Sequence, residues 1–139
     1  MKFPTLVTGL VALTLAAPAV AGGDPAKGEK EFGKCKSCHT VEAPDGTTIL
    51  KGGKTGPNLY GVIGSPAASK EFRYGAGLKA AAEKGLVWDE ANFAEYVVDP
   101  GAFLKAYTGD AAAKSSMTFK LKKGGADIAA WLASVGPAN

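Results

Sequence analysis

The sequence predicts a small all-α domain in which short helices and long loops wrap around a centre that the polypeptide does not itself supply. Three observations carry this expectation. Apolar residues recur at helical spacing in segments that begin near Asp24, Gly77, Asp89 and Gly124, and no convincing strand alternation occurs anywhere. Two long loops are expected, from Glu42 to Lys54 and from Thr108 to Ser116, and loops of that kind in a compact domain are usually functional or pinned by something else. The third observation is the stretch Cys35-Lys36-Ser37-Cys38-His39.

Cys-x-x-Cys-His is the attachment signature of a c-type haem. Two thiols three positions apart on one helical turn reach the two vinyl groups on one side of a porphyrin, and the next residue then lies beneath the iron. Cys35 and Cys38 are therefore the expected thioether residues and His39 the proximal ligand. A haem would also pin the two long loops. Other readings of the same residues are weaker. A thioredoxin-type redox pair wants a βαβ setting, which is not visible. A disulfide across two residues closes too small a loop to stabilise much. Zinc needs more ligands than the two cysteines and one histidine in the chain.

Taken in order, Met1 and Lys2 precede an apolar run from Leu6 to Val20 that ends in Ala19-Val20-Ala21. Residues 1–21 thus read as a cleaved secretory signal peptide, leaving 22–139 as one domain. Pro18 and Gly22-Gly23 interrupt the run before it reaches the roughly 20 apolar residues of a membrane span. The expected product is exported and soluble, in a compartment that disfavours free thiols.

Asp24 is a plausible N-cap with Pro25 at the first helical position, and the helix that follows carries Gly28 and Phe32 on one face. The last helix, released by Gly124 and Gly125, presents Ile128, Trp131, Leu132 and Val135 at i, i+3, i+4 and i+7. These two faces should pack together, with Gly28 permitting a close crossing; a neutral surface glycine is the alternative. Between them, a short helix is expected over Gly77 to Lys84, stopped by Gly85. Asp89 caps another, with Phe93, Tyr96 and Val97 on one face, which ends at Asp99 before Pro100.

The formal net charge is +3, of which Lys2 would leave with the presequence. Two haem propionates would roughly cancel what remains. Basic and acidic residues are so nearly balanced that nucleic-acid binding is not expected. Their distribution is uneven: Lys114, Lys120, Lys122 and Lys123 have no acid among them, while Glu83, Asp89, Glu90, Glu95, Asp99 and Asp110 face only Lys84 and Lys105. The molecule should be a dipole.

The order Cys35-x-x-Cys38-His39, Gly56-Pro57-Asn58-Leu59, Tyr74, Trp88, Tyr96, Pro100 and Met117-Thr118-Phe119 resembles class I cytochrome c across the whole mature chain. The long loops before Gly56 and Met117 make it most similar to the larger bacterial cytochromes c2. The resemblance implies the small cytochrome c fold and a soluble periplasmic carrier. It also implies that the Pro57 carbonyl accepts a hydrogen bond from the haem histidine and that Tyr74 and Trp88 donate to a buried propionate. Tyr96 would lie near the methionine sulfur and Ser115 near a propionate, although Lys114-Ser115-Ser116 departs from the Gly-Thr-Lys common there.

Met117 can also be read from its own chemistry. It is the only methionine after cleavage, in a loop, and its thioether is a soft neutral ligand that raises the potential relative to a second histidine. Filling a gap in the core is the competing role, and a deprotonated lysine the only other strong nitrogen donor. With His39 and Met117 on the iron, the expected function is one-electron transfer without catalysis. The alternatives are a haem peroxidase or ligand-binding cytochrome with an open sixth site, and a haem-free thiol protein. The resemblance implies a monomer that takes electrons from a cytochrome bc1 complex and delivers them to a photosynthetic reaction centre or terminal oxidase. Lys34, Lys36, Lys54, Lys120, Lys122 and Lys123 are expected to ring the haem edge, with the acids of 83–110 mostly behind it.

Overall fold

The computed structural model describes residues 22–137; the expected signal peptide, 1–21, lies outside the described residues. Five helices carry the fold: α1 (Pro25–Glu31), α2 (Ala76–Glu83), α3 (Glu90–Val98), α4 (Pro100–Thr108) and α5 (Gly125–Val135). A 3₁₀ turn, Phe32–Lys34, extends α1 toward the Cys-x-x-Cys-His segment.

Helix α1 starts as expected, with the Asp24 carboxylate accepting from the Ala26 and Lys27 N–H groups and Pro25 needing no partner. Asp127 reaches back from α5 to accept from the Asp24 N–H at 2.7 Å. The two terminal helices cross closely because Gly28 is buried and has no side chain: a Cβ there would overlap the Asp127 carbonyl. Phe32 fills the space beyond this crossing, fully buried, with its ring 4.9 Å from that of Trp131.

Helix α3 is fixed by a capping box. Asp89 accepts from the Asn92 N–H at 2.7 Å, and the Asn92 side chain accepts from the Asp89 N–H at 2.9 Å. Phe93, Tyr96 and Val97 are buried along its inner face as their spacing predicts. The short helix expected over Gly77 to Lys84 forms one residue earlier, as α2.

Two elements depart from expectation. The segment from Glu42 to Lys54 is not wholly loop: β1 (Val41–Glu42) and β2 (Thr48–Leu50) pair as an antiparallel hairpin, turning through Asp45 and Gly46, the latter at φ 87°. Pro100 does not merely end α3; it starts α4. Asp99 caps it by accepting from the Ala102 N–H at 3.0 Å, and Pro100 again takes the position that needs no N–H. Helix α4 sends Phe103 into an aromatic cluster, 5.6 Å from Tyr96 and 6.1 Å from Trp88 between ring centroids. No helix among the described residues is long and apolar enough to cross a membrane.

Candidate functional site

The Cys-x-x-Cys-His segment is held by a second strand of chain laid beside it. Gly53 N–H donates to the Lys36 carbonyl, Gly56 N–H to that of Cys38 and Leu59 N–H to that of Thr40, at 2.8 to 3.0 Å. Asn58 ties this pair to the hairpin: its Oδ1 accepts from the Glu42 and Tyr60 N–H groups, and its Nδ2 donates to the Glu42 carbonyl at 2.8 Å. The alignment brings the Pro57 carbonyl to 2.8 Å from His39 Nδ1. A carbonyl can only accept, so Nδ1 carries the proton and Nε2 keeps its lone pair for a metal. Burial pushes the imidazole below its usual range and so favours the neutral ring, while the Pro57 bond opposes that shift. The His39 ring lies directly on Gly56, where a Cβ would overlap it.

The two thiols occupy different surroundings. Cys35 is half-buried, and desolvation pushes its thiol up to about 11. Cys38 is exposed, and hydrogen bonding from Thr55 and Ser37 holds its thiol below the ordinary value.

Met117 comes from the segment between α4 and α5 and is half-buried against the core. Its N–H donates to Ser115 Oγ at 3.1 Å, and the same oxygen lies 3.2 Å from Tyr96 Oη. Ser115 thus links the methionine loop to α3. Burial pushes the phenols of Tyr96 and Tyr74 up, so both stay protonated. Tyr74 accepts from the Lys70 N–H at 3.3 Å and keeps its own proton to donate.

The expected site residues meet at one cavity of about 540 Å³. Cys35, Cys38, His39, Pro57, Tyr74, Trp88, Tyr96, Ser115 and Met117, every expected site residue, line it. The rest of the wall is largely apolar, including Leu59, Val62, Phe93 and Ile128. This donor set fits one haem c: a free imidazole nitrogen, a thioether sulfur, two thiols beside the imidazole, and phenols able to meet carboxylates.

No protein-family model matches the chain. It is 58% identical to cytochrome c-551 of Roseobacter denitrificans, covering 94% of each chain, and 57% identical to cytochrome c2 of Rhodobacter capsulatus, covering 97% of this chain and 98% of the relative. The X-ray structure of ferric cytochrome c-550 from Paracoccus versutus superposes with a TM-score of 0.80 at 61% identity, covering 83% of this chain and 99% of that one. The chain belongs to the class I cytochromes c. Its fold is the small cytochrome c fold, its cofactor is one covalently bound haem c, and it is an electron-transfer protein rather than an enzyme. The peroxidase alternative is thereby set aside, as is the haem-free thiol protein.

The six lysines expected at the haem edge differ in their surroundings. All six of its lysines are exposed. Of the six, only Lys34 lines the cavity, beside Lys70 and Arg73, which sequence reasoning did not single out. Lys120 is paired with Asp99 at 2.7 Å. The reason is local: the Leu121 N–H donates to the Val97 carbonyl, which draws residues 120–121 along the end of α3. Lys120 in turn holds the Asp99 carboxyl below its usual range. Sequence reasoning also gave Asn58 and Gly56 no role of their own, although both sit inside the quoted motif.

Proposed function

We propose that the protein carries single electrons across the periplasm, from a cytochrome bc1 complex to a photosynthetic reaction centre or terminal oxidase. Cys35 and Cys38 would hold the haem by thioethers, His39 Nε2 and Met117 Sδ would bind its iron, and residues 1–21 would direct export. The observation that carries the reading is the bond from His39 Nδ1 to the Pro57 carbonyl in a cavity that Met117 also lines. When bound, the haem supplies a one-electron ferric–ferrous couple. The chain does the rest. Pro57 fixes the tautomer and orientation of His39, the apolar wall excludes water, and Tyr74 and Trp88 would donate to a propionate. Ser115 holds the Met117 backbone. With His39 and Met117 both on the iron, substrate and dioxygen would have no direct access to it.

The encounter surface is the exposed lysines Lys34, Lys36, Lys54, Lys122 and Lys123, with Lys120 contributing less because Asp99 partly neutralises it. The test of the ligand set is the near-infrared spectrum of the ferric protein. The parent should show a methionine-to-iron charge-transfer band. Met117→Ala should keep the haem, lose the band, and lower the potential by several times the roughly 59 mV that a tenfold affinity change represents. A variant with the parent's band and potential would remove Met117 from the iron.

A further inference from the structure

Helix α2 and the segment leading to Met117 come together through two glycines. Gly77, buried in the first turn of α2, has the Lys114 carbonyl where its Cβ would be, with Leu104 Cδ1 3.2 Å from the same point. Gly75, which precedes α2, has Ser116 Oγ in the corresponding place, with Ser116 Cβ at 3.4 Å. Helix propensity does not explain Gly77, since alanine is the better helix former. Later in the same helix, Ala80, Ala81 and Ala82 stand in a row. Gly77, Lys114 and Ser116 themselves border a cleft of about 380 Å³, together with small side chains such as Ala76, Ala80 and Ala113. The loop therefore leans on α2 by direct backbone contact beside a seam that side chains fill poorly.

We propose that Gly77, assisted by Gly75, is a positioning residue for Met117: the backbone of 114–116 rests on these glycines, and that rest sets how firmly the loop presents its thioether. The inference rests on the assignment of Met117 as an iron ligand. The route is short. Displacing the Lys114 carbonyl moves Ser115, whose hydroxyl accepts the Met117 N–H and meets Tyr96. Gly75 should matter less, because the atom in its way is a side-chain hydroxyl that can rotate.

The test uses the ferric holoprotein titrated with imidazole, which can occupy the iron only in molecules whose methionine has let go. Apparent affinity then scales with the fraction open. Gly77→Ala should bind imidazole about tenfold more tightly than the parent, equivalent to about 1.4 kcal/mol. Gly75→Ala should bind it two- to threefold more tightly, and adding Ser116→Ala should reverse that gain. Gly101→Ala, in α4, is the control: its Cβ would meet only Asp99 Oδ1, at 3.7 Å, so affinity should stay within twofold. Far-UV circular dichroism at the titration temperature verifies that each variant is folded. A Gly77→Ala affinity matching that of Gly101→Ala overturns the proposal. Should Gly77→Ala yield no holoprotein, the Gly75 pair decides: an unchanged affinity, or a gain that Ser116→Ala does not reverse, overturns it too. Met117→Ala separates the two layers. If it binds imidazole no better than the parent, the ligand assignment itself fails; if it binds far better while Gly77→Ala does not, only the glycine support fails.

Discussion

The two walls of the haem cavity are built differently. The histidine wall, residues 35–59, is two lengths of chain joined by backbone hydrogen bonds and tied by Asn58 to a hairpin. The methionine wall has no such ladder: among the described residues, 114–120 make no backbone–backbone hydrogen bond. Ser115 Oγ, the half-buried Met117 side chain, glycine contacts to α2 and the Leu121–Val97 bond hold it in place. One wall is fixed by many bonds that must break together, whereas the other can open locally. The difference would suit the proposed ligation, since thioethers would keep the haem beside His39 whether or not the sulfur is engaged.

The largest effect should come from removing that covalent anchor. Acid acetone should leave all the haem on the parent polypeptide and extract it from any haem-containing Cys35→Ser, Cys38→Ser double variant; complete extraction from the parent would refute thioether attachment. A paired substitution then sharpens the contrast between walls. Asn58→Ala removes three hydrogen bonds and should lower unfolding stability by about 1–3 kcal/mol while leaving the near-infrared band intact. Ser115→Ala removes the acceptor of one N–H and should cost only about 1 kcal/mol, yet weaken the band or ease its displacement by imidazole. Equal effects of the two variants on the band would erase the distinction.

Much of this could be read from the chain, and the exceptions have physical causes. The Asp24-Pro25 start, the capping by Asp89, the close crossing at Gly28 and the haem motif are local signals that tertiary structure did not override. Helix α4 was legible in principle. Asp99-Pro100 repeats the Asp24-Pro25 signature, and Phe103, Leu104 and Tyr107 follow at helical spacing, but a proline after a helix also reads as its end. The hairpin has strands of only two and three residues, too short for alternation to register, although Asp45-Gly46 is a recognised turn pair. What no local pattern could give was the pairing of Lys120 with Asp99, or the approach of Lys70 and Arg73 to the cavity. Both depend on where distant segments meet.

The smallest effects belong to the surface charges, which act on encounter and leave both walls alone. Second-order electron transfer to the physiological acceptor should slow as salt rises, because exposed charges are screened beyond roughly 10 Å at 0.1 M. Changing Lys122 and Lys123 to Glu should slow it at low salt and flatten the dependence, while Glu83→Gln with Glu90→Gln should do little. Equal effects of the two sets, or a rate indifferent to salt, would deprive the lysines of a docking role.

The inequality of the walls is tested most directly by titrating the ferric protein with guanidinium chloride, following the near-infrared band and the far-UV helical signal on the same samples. The band should disappear at a lower denaturant concentration than the helices, with the haem still attached, as the methionine wall opens while α1, α5 and the histidine wall stand. Coincident transitions, or loss of helix before loss of the band, would mean that the two walls are equally firm and that the account is wrong.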